Sequence, residues 1–217
     1  MSNLIYIGPP GVGKGTIARL LVAESGWPHI STGDIFRKAY AVGTEFGIKA
    51  HDEFWGPEAG SHLVPDELTN PLAIERIQQP DCANGFQYDG YPRTSGQAAT
   101  LEEALERIGE KIDHVLYLTA TEEELIKRIA GRESCSSCGA IYGVAVPPLR
   151  IGYCDNDKTS LTRRADDSID SALKRIREQW VQSLPVVEFY REKGLIREID
   201  GNQPVTKVLE DIRKIVL

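Results

Sequence analysis

Between the apolar run Leu4-Ile5-Tyr6-Ile7 and a helical stretch from 14 to about 24 lies the segment GPPGVGKGT, residues 8–16. No other part of the chain limits the fold as much. An all-apolar run that stops at glycine reads as a strand buried on both faces, the habit of a parallel sheet. Gly8, Gly11, Gly13 and Gly15 let the backbone turn tightly. Successive N–H groups and the N-terminus of the next helix then aim at one point, which suits phosphate oxygens. Lys14 reaches the outer phosphates. The bland alternative is an ordinary Gly-Pro turn, but strand, loop, lysine and helix stand in the order that phosphate binding requires. In the generic loop a hydroxyl follows the lysine directly, whereas here Gly15 intervenes and the hydroxyl is Thr16.

Further apolar runs at 85–88, ending at Asp89, at 115–118 and at 195–199 are separated by helical stretches. This alternation predicts an α/β fold with a parallel sheet flanked by helices. Thr121 and Glu124 have capping-box spacing and start a helix through Leu125, Ile126 and Ile129. Pro204 starts a closing helix carrying Val205, Val208, Leu209, Ile212 and Ile215. Two segments leave the alternation. Residues 32–64 read as short helices around Ile35-Phe36 and around Phe46, Ile48 and Phe54, broken by Gly43, Gly47 and the Gly56-Pro57 turn. Residues 133–167 hold three of the four cysteines, Pro147-Pro148 and no helical period. So small a loop-rich segment needs a staple.

The staple is legible. Cys135 and Cys138, then Cys154 and Asp157, have zinc-ribbon spacing with a carboxylate as the fourth ligand, and Asp155 is a rival that breaks the spacing. A site filled by four protein ligands is structural, so Zn2+ is expected to sit outside the reaction. Three reduced surface thiols are the alternative, and they leave the paired spacing unexplained. Cys82 stands apart as a bystander, and His29, His51, His62 and His114 fall into no ligand pattern.

At 217 residues the chain can bury the core of one α/β domain carrying these insertions. With 41% hydrophobic and 26% charged residues, disorder and fibrous repeats are excluded. A net charge of -7 argues against coating nucleic acid. No apolar run nears the roughly 20 residues of a spanning helix. Residues 1–7 lack a basic start or cleavage site, so no membrane association and a cytoplasmic location are expected.

The loop with Gly15 between lysine and threonine resembles that of the nucleoside monophosphate kinases. Further stretches, in order along essentially the whole chain, resemble adenylate kinases of the long form with a metal lid. They are STGD at 31–34 with Arg37, DGYPRT at 89–94 with Gln97, KRIAGR at 127–132, RRADD at 163–167 and LKRIRE at 173–178. The resemblance implies a P-loop nucleotide kinase fold with its core at 1–31, 65–131 and 168–217, a monophosphate-binding insertion at 32–64 and a lid at 132–167. It implies that Gly11, Gly13, Lys14, Gly15, Thr16, Arg128 and Arg132 bind ATP, Arg128 stacking on the adenine. AMP would meet Thr32, Arg37, Val64, Gly90, Arg93 and Gln97, the last reading its adenine edge. Asp89 would hold Mg2+ through water, while Lys14, Arg93, Arg164 and Arg175 act on the transferring group. The implied reaction is ATP + AMP = 2 ADP in a monomer whose lid closes, adenylate kinases being themselves among the known cases of lid closure.

The chemistry of the pattern is coherent. Phosphoryl transfer asks the protein for positioning and charge neutralisation, and guanidinium groups bind phosphate in a fork while staying charged. Three departures stand out. Residues 52–62 are longer than the family's stretch and lack its lysine; Trp55 either packs under this excursion or alters how the acceptor base is held. Tyr91 replaces a common Phe, a change expected to be neutral, and Lys158-Thr159 replaces a glycine pair. A kinase for another monophosphate is the near alternative, with Thr32 and Gln97 favouring AMP. A zinc-ribbon ATPase binding nucleic acid lacks interleaved basic and aromatic residues, and a GTPase switch lacks N-K-x-D.

Overall fold

Strand β1 is apolar at every position from Leu4 to Ile7 because both of its faces are covered. Leu4 and Tyr6 enter a cluster with Ile17, Leu21, Leu125, Ile129 and Ile212, while Ile5 and Ile7 enter another with Tyr88, Leu101, Val115 and Val186. Side chains alternate across a strand, so one run serves two cores.

The computed structural model describes residues 2–56, 62–163 and 167–217. The chain runs β1 (Ser2–Ile7), α1 (Lys14–Ser25), β2 (His29–Ser31), α2 (Thr32–Ala41), α3 (Glu45–Ala50), α4 (Asp66–Ile77), β3 (Gly85–Asp89), α5 (Ser95–Arg107) and β4 (His114–Thr119). It continues through α6 (Glu122–Ala130), β5 (Glu133–Cys135), β6 (Ile141–Tyr142), β7 (Leu161–Thr162), α7 (Ile169–Lys174), α8 (Trp180–Glu192), β8 (Ile196–Asp200) and α9 (Val205–Val216). The main sheet has the order β2-β3-β1-β4-β8, with every pair parallel. From β1 the chain goes outward to β2, returns to β3, and crosses to β4. The crevice at such a reversal, outside the carboxyl ends of the strands, is where open α/β sheets bind ligands.

Each apolar run of the sequence becomes a strand, and the expected helices form at their caps. The Thr121 hydroxyl accepts from the Glu124 N–H at the start of α6. Strand β2 escaped the sequence reading because it is three residues long. Gln87, inside β3, secures it: the Gln87 amide donates to the Trp27 carbonyl at 2.9 Å, and its Oε1 accepts from the Tyr6 hydroxyl at 2.8 Å.

The excursion is more regular than its glycines suggest. Gly47 lies inside α3 instead of breaking it, because a Cβ there would sit 2.2 Å from the Ala39 carbonyl carbon. The glycine is a close-approach residue that lets α3 lie on α2. A π-helical turn follows at His51–Trp55, and the ring of His51 lies between Tyr40, stacked at 3.9 Å, and Trp55, edge-on at 4.7 Å. Trp55 thus packs within the excursion. The cysteine segment forms its own antiparallel sheet, in the order β6-β5-β7.

Candidate functional site

The phosphate loop joins β1 to α1 at the sheet reversal. Gly13, at φ 106°, caps α1 in the left-handed region that favours glycine. Lys14 Nζ donates to the carbonyls of Gly8 and Pro9 at 2.8 and 3.1 Å. The intervening Gly15 has a physical reason. A Cβ on it would meet Asp89 Oδ2 at 3.0 Å, so its missing side chain lets the end of β3 close on the start of α1. Thr16 follows in the first turn of that helix. We expect Gly15→Ala to push Asp89 outward and lower kcat/KM about tenfold. Steady-state kinetics check this, and an unchanged value would mean that Asp89 need not be where it is.

Asp89 is also held from the far side. His29 Nε2 lies 3.3 Å from Asp89 Oδ2, a partnership that no spacing in the sequence announced. Burial raises the Asp89 carboxyl, but the His29 hydrogen bond and the charges of Lys14, His29 and Arg93 outweigh it and hold the group well below the usual carboxylate range. Burial lowers the Lys14 ammonium to about 8, Asp89 opposing, with Arg93, Arg175 and Arg132 adding to the fall. The site therefore gathers like charges that an anionic ligand would neutralise.

On the other side of the loop, α2 starts with the Ser31 side chain accepting from the Asp34 N–H. Asp34 Oδ1 accepts from Arg37 at 2.5 Å. The Gly90 carbonyl draws two predicted residues together, accepting from Thr32 Oγ1 at 3.1 Å and from Arg93 Nε at 2.8 Å. Burial and the charges of Arg175 and Arg37 lower Arg93 to about 10, against the pull of Asp89.

Gln97 is buried, with both ends of its amide engaged. Its Oε1 accepts from the Arg93 N–H at 2.7 Å and its Nε2 donates to Asp66 Oδ1 at 2.8 Å. Asp66, at the head of α4, also accepts from the Thr94 hydroxyl. The sequence reading missed Asp66, although Pro65-Asp66-Glu67 is an ordinary helix start. The Tyr91 hydroxyl, which a Phe would lack, donates to Asn70 Oδ1 at 2.9 Å. Val64 precedes α4 and accepts from Thr69 Oγ1 through its carbonyl.

The remaining cations stand where the cysteine segment joins the core. Arg128 lies over the loop, donating to the Val12 carbonyl at 3.2 Å and to Glu124 at 2.7 Å. Arg132 grips the buried carboxylate of Asp167 with two donors, one of them Nε at 2.7 Å, and Arg175 stands 3.6 Å from the same carboxylate. Asp167 was read only as part of a motif, yet it meets Arg132 across 35 residues of chain and brings it together with Arg175, the other predicted arginine. Arg164 lies outside the described residues. One cleft is lined by Lys14, Arg37, Asp89, Arg93, Arg132 and Arg175, with the Ile141 to Val146 stretch of the cysteine segment above it.

The predicted metal ligands come together. The ligand atoms of Cys135, Cys138, Cys154 and Asp157 all lie within 4.8 Å of one another. Cys135 Sγ is 3.5 Å from Asp157 Oδ1, and Cys138 Sγ is 3.5 Å from Cys154 Sγ. A tetrahedral zinc with Zn–S bonds of about 2.3 Å spaces its sulfurs about 3.8 Å apart, so the donors fit. Geometry also separates the rival carboxylates, because Asp155 Oδ1 accepts from the Leu149 N–H instead. Lys158 takes a φ of 62°, the conformation glycine would adopt, and closes the same turn. Among the described residues, no helix is long and apolar enough to cross a membrane.

A family model described as adenylate kinase matches residues 6–195 of the chain. A protein named adenylate kinase from Fervidobacterium nodosum is 43% identical over 209 residues, covering 96% of this chain and 94% of the relative. One of the same name from Symbiobacterium thermophilum is 43% identical over 215 residues, 99% and 98% of the two chains. Another, from an Anaeromyxobacter species, is 46% identical over 199 residues, 91% of each.

Proposed function

The chain belongs to the adenylate kinase family, phosphotransferases that interconvert ATP plus AMP and two ADP, and from that premise we propose how its residues divide the reaction. Residues 1–31, 65–131 and 168–217 form the core, 32–64 the AMP side and 132–167 the lid. ATP lies on the loop with Gly11, Gly13, Lys14, Gly15 and Thr16 against its phosphates and Arg128 and Arg132 above. The AMP phosphate lies between Arg37 and Arg93, beside Gly90, with Thr32, Val64 and Gln97 around its base. Lys14, Arg93, Arg164 and Arg175 neutralise charge on the transferring phosphoryl group. The observation that carries this reading is the single cleft in which Lys14, Arg37, Arg93, Arg132 and Arg175 converge on the carboxyl end of β1 and β3.

No base is needed in such a site. Positioning in line and charge neutralisation supply the rate, and the lid excludes the water that would accept the phosphoryl group. Family members work with Mg2+ and ATP. Asp89, ionised and aimed at the loop, and Thr16 are the residues that would hold the ion near the phosphates, where it offsets their charge. The Cys135, Cys138, Cys154 and Asp157 cluster would hold a structural Zn2+ that ties β5 to the turn before β7. Cytoplasmic residence as a monomer belongs to the same reading, and sedimentation tests the second part.

Acceptor choice is tested by turnover with AMP, CMP, UMP and GMP at fixed ATP. AMP is expected to be preferred by at least about a hundredfold, the margin by which a site built to hydrogen-bond one base edge rejects another. A pyrimidine used equally well would refute the AMP assignment.

Lys14 supplies a second test. Its folded value of about 8 lies below its ordinary 10.5. The buried ammonium therefore costs stability at neutral pH, and that cost is relieved as pH rises through about 8 towards 10.5. ATP phosphates reverse the shift, so binding at about pH 8.5 should take up about half a proton or more. Calorimetry in two buffers of different ionisation enthalpy measures it; zero uptake would place Lys14 away from the phosphates.

A further inference from the structure

Arg19, on α1, is a cation of the cleft that the reading above does not use. Its guanidinium has two partners on different parts of the molecule. It donates to the carbonyl of Gly139, at the end of the Cys135–Cys138 turn, and its Nη2 lies 3.4 Å from Asp34 Oδ2. Asp34 is shared, since its other oxygen accepts from Arg37 at 2.5 Å. Arg37 is folded back towards its own helix, with both terminal nitrogens 3.1 Å from the place a Cβ on Gly33 would take. Two arginines thus divide one carboxylate, and one of them also touches the lid.

The arrangement creates a conflict that Arg19 resolves. An acceptor phosphate needs the donors of Arg37, yet Asp34 competes for them and repels the incoming dianion. We infer that Arg19 is a positioning residue that neutralises Asp34 when the lid is seated on the core, so that Arg37 can turn to the acceptor phosphate. The inference rests on the reading of Arg37 as a phosphate ligand. Arg19 itself touches no nucleotide in this account; it acts through Asp34, and its contact with Gly139 ties that action to the closed lid. Both partners are part-exposed, so the energy involved is that of a solvated ion pair, and the effect is modest.

The test is steady-state kinetics on the full chain with Mg-ATP and AMP. Arg19→Gln should raise KM for AMP about threefold and leave KM for ATP within about 1.5-fold. Arg19→Lys, which keeps the charge beside Asp34, should restore KM for AMP. In an Asp34→Asn background the same Arg19→Gln change should have no effect on KM for AMP, because no charge is left to neutralise. Equal rises in both KM values, no rescue by lysine, or an effect that persists in the Asp34→Asn background would overturn the inference. Arg37→Ala separates the two readings. If it leaves KM for AMP unchanged, the acceptor assignment itself fails; if it raises KM while Arg19→Gln does not, only the role of Arg19 fails.

Discussion

Arg93→Ala should lower kcat about a thousandfold or more, the scale on which a transition-state arginine acts, while the melting temperature stays level or rises slightly. The two expectations share one cause. Arg93 sits in the cleft near Arg37 and Arg175, and burial together with those charges pulls its guanidinium down to about 10. Holding it there opposes folding, so its removal relieves repulsion. Among the described residues its Nε donates to the carbonyl of Gly90, three positions away, a local contact. A residue that the fold would be no worse without is being held for the ligand. Near-normal turnover in the alanine variant would refute that role, and a large drop in melting temperature would recast Arg93 as structural.

Cys138→Ser should do the reverse. Bound zinc, measured by metal analysis of the purified protein, is expected to fall well below one ion per chain, and the melting temperature to fall by about 10 °C. The sheet of the cysteine segment has two strands of two residues and one of three, and its buried cluster among the described residues is Cys135, Tyr142 and Cys154 with Ala140 and Leu161 packed against it. So small a core cannot hold a loop-rich segment of this length without cross-linking. Phosphoryl transfer measured well below the transition should change only a fewfold, since the four proposed ligands have no part in the chemistry assigned to the cleft. A variant that keeps both its metal and its melting temperature would show that Cys138 holds no structural ion.

What could be read early was whatever the backbone writes locally. Strand β1 announced itself because burial on two faces demands unbroken apolar residues, and the capping of α6 by Thr121 is settled within a single turn. The ligand spacing of the cysteines is likewise local to two turns, which is why the sequence could propose the set before its atoms were seen together. By contrast β2, three residues at the sheet edge, is a strand through its pairing with β3, far along the chain, and Gly47 looks like a helix breaker until α2 lies against it.

The partners of the predicted site residues were the least legible. His29 faces Asp89 across 60 residues and Asp66 faces Gln97 across 31, and neither His29 nor Asp66 carries a mark of its own in the sequence. A lone histidine or a helix-start aspartate reads as ordinary surface chemistry. Asp167 joins Arg132 to Arg175 where the cysteine segment runs into α7.

The phosphate loop shows where the boundary falls. Its glycines, lysine and position between strand and helix are a statement about backbone torsions and a charge, and a sequence states those by itself. The order of residues was enough to specify the loop, the alternation around it and the family it resembles. Why a glycine must stand between Lys14 and Thr16 was decided by the tertiary structure, because the atom that would collide there belongs to Asp89, on a strand that pairs with β1 from far along the chain. Torsions are local and therefore written in the sequence, whereas a steric limit or a shifted charge depends on which distant group the fold brings within 4 Å.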